Sequence, residues 1–435
     1  MSKENKNMAA EQPKDLVKGI NEQINSILAH MEKKHPESVW MTRVQKEYWS
    51  AIENAHRDGK KLILCGTNIP TELIYAFDAV PFVLETAIIR IATTPEPARY
   101  LDLADQYVVS EVCGIDRGIL GFLLSGEIVD VPDAMLYTVV PCDSARVAYP
   151  AMHKQMGIPG FCIDTPYRKD AKGYEYIARQ LREMVKFLEE ITGNKLDWNK
   201  FLEILKRGNR ASQLLIDCSK LRENIPCPLP GRFLVLNELT ASLMGSQEVI
   251  DFLEKEYELG MKNLKAGKGV TPGPEEFRCI WLQNMLWSNA GILDWMEKKY
   301  NAVLVMDAFG YAGYNIIDLK NEETVFNGLA RRVLVIPMVH GCSGPAEPWI
   351  EITDDTIRRY SVNVSMFAGH VGCKHTWAVS KLVKDYVYEK FGLPTLTFDV
   401  DGIDVRYKSS DEVRAIISEY MDTLIENRKK QEIRA

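Results

Sequence analysis

The chain has 435 residues, 46% of them hydrophobic and 26% charged, with a formal net charge of −7 and nine cysteines. That length supports two or three domains with cores of their own. The acidic balance and the lack of a concentrated basic tract argue against a nucleic-acid binder. No apolar stretch approaches the length that spans a bilayer, and scattered cysteines in so large a chain do not form a disulfide framework. Residues 1–20 are polar and unlike a signal peptide, so a cytoplasmic protein is expected.

From about 14 to 60, the apolar residues Leu16, Ile20, Ile24, Ile27, Leu28 and Met31 recur at helical spacing, which predicts an N-terminal helical segment over 1–60. A strand is expected at Lys61–Cys65, then the turn Gly66-Thr67-Asn68-Ile69-Pro70 and a helix over Thr71–Asp78, where Pro70 and Glu72 suit its start. VPFVLETAI reads as the next strand, carrying Glu85 at its end. Cys113 opens a helical run for which Gly126 is a stop, and together these elements make a first α/β lobe over 61–171. Residues 172–298 read as a helical middle region, broken near Cys227–Pro230 and Thr271–Pro274. A second α/β lobe over 299–435 opens with NAVLVMDAF and RRVLVIPMV and ends in an amphipathic helix after Ser410. The expected fold class is therefore α/β: two doubly wound parallel-sheet lobes with a helical N-terminal segment and a helical middle.

Two segments repeat one another around a cysteine, Ala134–Asp164 and Val362–Asp399. Each reads as an apolar strand, a cysteine (Cys142, Cys373), a helix, a Gly-Ile-Pro or Gly-Leu-Pro break, and a second apolar strand. That is the pattern of a βαβ unit, whose strands end on a ligand crevice. Cys113 also precedes a helix. A helix amino end offers unpaired N–H groups and a positive dipole, which lower a thiol's pKa and suit a thiolate that binds soft metals or iron–sulfur clusters. Cys342 in HGCSGPAEPW, read as following an apolar strand and starting a loop over 341–349, is the rival ligand, and Cys65 at a strand end is another. No paired CxxC or HxxxH marks a zinc site, and no Walker loop or GxGxxG marks a nucleotide.

Several of these stretches carry a family resemblance. CGTNIPTELIYAFDAVPFVLET, VCGIDRG, VVPCD, and GHVGCKHTWAV followed by FGLPTLTFDVDGIDVR are similar, in order and context, to the 2-hydroxyacyl-CoA dehydratase and benzoyl-CoA reductase family. The likeness runs from about residue 60 onward, and Leu84-Glu85-Thr86 stands where the family carries a Pro–Glu–Thr-like strand end. It implies two flavodoxin-like lobes holding one 4Fe-4S cluster by three cysteines, here Cys113, Cys142 and Cys373, with one iron left open. By the same resemblance Thr67 lines the substrate pocket and Glu85 matches the catalytic carboxylate at the strand end of the larger, substrate-binding subunit, the two orienting the substrate hydroxyl.

The implied reaction removes water from an (R)-2-hydroxyacyl-CoA through ketyl radical intermediates, which make an otherwise unactivated β-hydrogen acidic. The implied partners are a related second subunit in a heterodimer, an ATP-hydrolysing iron–sulfur activator and the acyl-CoA substrate, with no nucleic acid and no membrane. Two alternatives keep the same cysteines: a benzoyl-CoA reductase-type or double-cubane reductase subunit, and a non-catalytic electron-relay subunit. His370 and His375, which flank Cys373, read as hydrogen-bonding or proton-moving groups, and Arg146, Arg168 and Lys374 as possible contacts for CoA.

Overall fold

The computed structural model of the protein describes residues 15–94, 97–289, 291–311 and 315–434. The helices α1 (Leu16–Lys34) and α2 (Trp40–Asn54) open the chain. Asp15 caps α1 by accepting from the Lys18 amide at 3.1 Å, and Ile20 and Ile24 bury its apolar stripe. The first sheet is built from β1 (Leu62–Cys65), β2 (Val80–Val83), β3 (Ala134–Thr138) and β4 (Gly160–Ile163). Its connections carry α3 (Thr71–Ala76), α4 (Leu84–Ala92), α5 (Pro97–Ala104), α6 (Gly114–Leu124) and α7 (Asp143–Met156).

A helical region follows, α8 (Ala171–Thr192), α9 (Trp198–Leu221), α10 (Arg232–Ala241) and α11 (Gln247–Lys265). The second sheet takes β5 (Phe277–Trp281), β6 (Ala302–Asp307), β7 (Val364–His370) and β8 (Thr395–Val400). Its connections carry α12 (Ile292–Tyr300), α13 (Glu322–Val335), α14 (Pro337–Cys342), α15 (Glu347–Arg359) and α16 (Lys374–Phe391), and α17 (Ser410–Arg434) closes the fold.

Every strand pairs in parallel, and the two sheets run β2-β1-β3-β4 and β6-β5-β7-β8, the same permutation twice. This is the flavodoxin-like order. The direction of winding reverses between β1 and β3 and again between β5 and β7, so a crevice opens beyond the carboxyl ends of those strands. The repeated segments are the last crossover of each sheet, β3–α7–β4 and β7–α16–β8. Gly157 (φ 62°) and Gly392 (φ 67°) end their helices in the left-handed region, which is why each break carries a glycine. Strands covered on both faces need apolar residues throughout, and β1, β2, β3, β5, β6 and β7 are buried at every position. One hydrophobic core joins the lobes, with Leu64 and Met135 of the first sheet continuous with Trp281 and Met366 of the second. The helical region covers the other face of the first sheet, Ile177 and Leu205 packing with Ile63 and Leu136.

Three local expectations are corrected. VPFVLETAI is not one strand, because β2 stops at Val83 and α4 starts at Leu84. RRVLVIPMV is not a strand: its first half belongs to α13, where Val325, Leu329 and Val333 are buried at four-residue spacing. The second sheet takes its first strand from residues 277–281, inside the stretch read as helical.

Candidate functional site

The crevices of the two lobes face one another across a cavity of about 180 Å³. The turn after β1 delivers Thr67 to it, the loop after β3 delivers Cys142, the residues after β5 deliver Gln283, and the loop after β7 delivers Cys373. Cys113 lines the same space, as does Cys342. The three cysteines expected as ligands, their rival Cys342, and both Thr67 and Glu85 thus share one cavity. Cys65 does not line it; it is fully buried at the end of β1.

Cys113, Cys142 and Cys373 each occupy the N-cap of a helix, α6, α7 and α16 respectively. The Cys113 amide donates to Ser144 Oγ at 2.9 Å, which ties the first cysteine to the helix that the second one opens. The helix ends do not by themselves acidify these thiols, contrary to expectation. Burial pushes Cys113 and Cys142 up, and the nearby Asp116 carboxylate adds to it; the Ala145 and Ser144 amides only oppose this at Cys142. Cys373 moves the other way. The surrounding polar groups, Cys342 first and then Thr376 and Gln283, favour its thiolate against the effect of burial. The neighbouring Cys373 and burial push Cys342 up.

Cys342 ends the short helix α14 rather than following a strand, and α15 begins only five residues later, with Pro348 in its first turn where proline is tolerated. Lys169, from the loop after β4, reaches across to the carbonyl of His340 at 2.5 Å and places a cation beside Cys342.

Thr67 and Glu85 are direct partners. Glu85 lies in the first turn of α4, where its Oε2 accepts from the Thr67 amide at 3.1 Å and its Oε1 from the Thr67 hydroxyl at 3.2 Å. Tyr149, two turns into α7, also donates to Oε1. Burial raises the Glu85 carboxyl pKa and these donors hold it back.

Sequence reasoning missed three cavity residues. Asp116 lies one turn beyond Cys113, and burial together with the charges of Glu85 and Cys373 pushes it up to about 8. Tyr149 gives no signal outside the folded site. Gln283 donates to the Thr376 hydroxyl and accepts from the Asn284 amide. Its signal is positional, since it follows β5 as Thr67 follows β1. His370 lines the cavity, whereas His375 stands 3.8 Å from the Asp143 carboxylate of the other lobe. Arg146, Arg168 and Lys374 do not line the cavity, and Arg168 pairs with Asp170 at the surface.

Among the described residues, no three His, Cys, Asp or Glu side chains converge closely enough to grip a single metal ion. Four cysteines distributed around one buried space fit a larger, sulfur-loving group instead, because soft iron–sulfur clusters take several separated thiolates. No helix among the described residues is long and apolar enough to cross a membrane.

Fold and site together define a two-lobed α/β protein with a cysteine-lined cavity between duplicated switch points. The sequence pattern of the family described as 2-hydroxyglutaryl-CoA dehydratase, D-component, matches residues 66–424, and the chain belongs to that family. It is similar to the (R)-phenyllactyl-CoA dehydratase alpha subunit of Clostridium sporogenes, at 28% identity over 54% of this chain and 60% of that one. The (R)-2-hydroxyisocaproyl-CoA dehydratase alpha subunit of Clostridioides difficile matches at 22% over 92% of this chain and 98% of its own length. A benzoyl-CoA reductase subunit of Thauera aromatica matches at 20% over 87% and 92%. The family is one of dehydratase subunits.

Proposed function

We propose that the chain is the substrate-binding subunit of a 2-hydroxyacyl-CoA dehydratase, removing water from an (R)-2-hydroxyacyl-CoA. The observation that carries this is the meeting of Cys113, Cys142 and Cys373 with the bonded Thr67–Glu85 pair around one cavity. Those cysteines would hold a 4Fe-4S cluster. When bound, such a cluster supplies a low-potential electron and an iron that can take a substrate oxygen, the chemistry needed to labilise an unactivated β-hydrogen.

The chain's own residues do the rest. The cavity wall of Ile89, Ile115, Leu239 and Val333 excludes water and receives the acyl group. Thr67 fixes the Glu85 carboxyl, whose pKa burial raises, in place to hydrogen-bond the substrate hydroxyl and to exchange a proton with it. Several relatives are named as alpha subunits, which supports a second, related subunit here. A separate ATP-hydrolysing activator fits a chain with no nucleotide motif.

The test is anaerobic purification with that second subunit, iron and sulfide analysis, then assay with activator on a series of (R)-2-hydroxyacyl-CoAs. Iron, sulfide and an enoyl-CoA product are expected; a colourless, iron-free protein would sink the proposal. The match to the benzoyl-CoA reductase chain over most of both sequences supports a second reading, in which an aromatic thioester is reduced. Reduction of benzoyl-CoA without any dehydration would favour it.

A further inference from the structure

We propose that Arg332 reads the far end of the substrate's acyl group, and that this chain takes 2-hydroxyacyl thioesters whose acyl group ends in a carboxylate. This deepens the reading above and rests on it.

Arg332 comes from α13, is only 6% exposed and lines the cavity with its neighbour Val333. Its Nη1 donates to Glu72 Oε1, while Nε and Nη2 have no partner among the described residues. Those two nitrogens form the edge of a guanidinium that sends out two parallel N–H bonds. Arg117 uses the same edge in this protein, Nε donating to Asp105 Oδ1 at 2.7 Å and Nη2 to Oδ2 at 2.8 Å. Glu72 cannot turn to fill the edge of Arg332, because the Gly208 and Gly245 backbones box it in. It neutralises the guanidinium and fixes its fork. A buried donor left without an acceptor costs about 1–3 kcal/mol, so an idle fork in a cavity wall gains a partner when the cavity fills.

The same wall also carries the Thr67–Glu85 pair. The turn over 66–70 presents Thr67 to Glu85, and α3 follows with Glu72 in its first turn. Ile69, Leu239 and Val333 line the cavity with them. An acyl group can therefore offer its hydroxyl to Thr67–Glu85, lay its methylenes on these apolar side chains and end at Arg332. Among the described residues Arg332 is the only lysine or arginine that lines the cavity, and a carboxylate is the group whose two oxygens match its fork. Glu238, an acid of the same cavity, adds no charge against that carboxylate, since burial and then the nearby Asp307 carboxylate keep it protonated. Glu72 Oε2 is also without a partner, which makes a terminal carboxamide the rival occupant.

The experiment measures, by titration calorimetry, the binding of unreactive thioesters that lack the 2-hydroxyl to the anaerobically purified protein with its second subunit. Succinyl-, glutaryl- and adipyl-CoA are each compared with analogues in which an isopropyl group or a carboxamide replaces the carboxylate. At least one of the three is expected to bind wild type about tenfold or more tightly than both of its analogues. Arg332→Lys, which keeps the charge and loses the fork, should remove most of that ratio. Analogues that bind wild type as tightly as their carboxylates at all three lengths would overturn the proposal, whatever the fate of the variant. So would a ratio unchanged in folded Arg332→Lys. Turnover of the 2-hydroxy forms with activator separates the two readings. Dehydration of apolar 2-hydroxyacyl-CoAs alone removes this inference and leaves the dehydratase, whereas dehydration of none removes both.

Discussion

Gly372 of the second lobe rests directly on Cys113 of the first: a Cβ at that glycine would stand 2.6 Å from the Cys113 Cα and 2.9 Å from its amide nitrogen. Both neighbours are backbone, so neither can swing aside. The missing side chain is what lets the loop that carries Cys373 approach the helix that starts at Cys113. Gly372→Ala must push the lobes apart beside the cavity that Cys113 and Cys373 line. A loss of about 1–3 kcal/mol in stability is expected, and iron content should fall further than the same insult elsewhere would cause. Chemical denaturation and iron analysis on one preparation check both; unchanged iron would show that the close approach does not set the site.

Glu85 is held by three donors, two from Thr67 and one from Tyr149. Glu85→Gln keeps the shape and removes the ionisable carboxyl on which the proposed proton transfer depends. A drop in turnover of about 10²-fold or more is expected with iron unchanged. Tyr149→Phe deletes a donor that favours the ionised carboxylate, so the carboxyl pKa rises further and the acid limb of the rate profile moves to higher pH. A limb that stays in place, measured with activator in excess, would remove Glu85 from the proton path.

The double winding was legible because buried parallel strands are written as unbroken apolar runs, as in AVLVMD of β6, and because Gly157 and Gly392 mark where each crossover helix must stop. The strand β5 was hidden. Arg278 is the second residue of FRCIW, and only the fold shows that its guanidinium is buried against Glu275 and the carbonyls of Tyr360, Asn224 and Arg222. The β-branched run of α13 misled in the other direction, since its helical burial comes from packing and not from propensity. Within the cavity, cysteines stood out as rare residues in a repeated context. Gln283, Tyr149 and Asp116 are ordinary residues whose role exists only once two lobes face each other.

Glu256 gives the protein a pH dependence of opposite sign to the usual acidic one. Burial pushes its carboxyl up to about 7, although the Arg222 guanidinium lies 3.8 Å away. A folded pKa above the unfolded one means that the native state holds a proton that the unfolded chain has released. Its contribution is therefore fully present below about pH 4.5 and is lost as pH rises to about 7, at most about 3 kcal/mol. Glu256→Gln should flatten that part of the stability curve, with the variant gaining on wild type from pH 5 to pH 8 in paired melts. A constant difference across the range would show that the carboxyl titrates normally.

Glu72 on α3 and Arg332 on α13 join the first lobe to the second at the cavity wall, Arg332 Nη1 donating to Glu72 Oε1. Both are buried, and among the described residues Arg332 Nε and Nη2 have no other partner. Glu72 is itself boxed in, since a Cβ at Gly208 would lie 2.5 Å from its Oε1 and one at Gly245 would lie 2.9 Å from its Cγ. Neither charge can reach water if the other is removed. Glu72→Leu leaves an uncompensated guanidinium and Arg332→Met an uncompensated carboxylate, each costing about 3–5 kcal/mol. The double variant replaces the pair by apolar groups of similar size and removes both desolvation penalties, so it should be more stable than either single variant. Denaturant unfolding of the four proteins measures the coupling. If the two single losses simply add in the double variant, the two residues do not act as one clamp between the lobes.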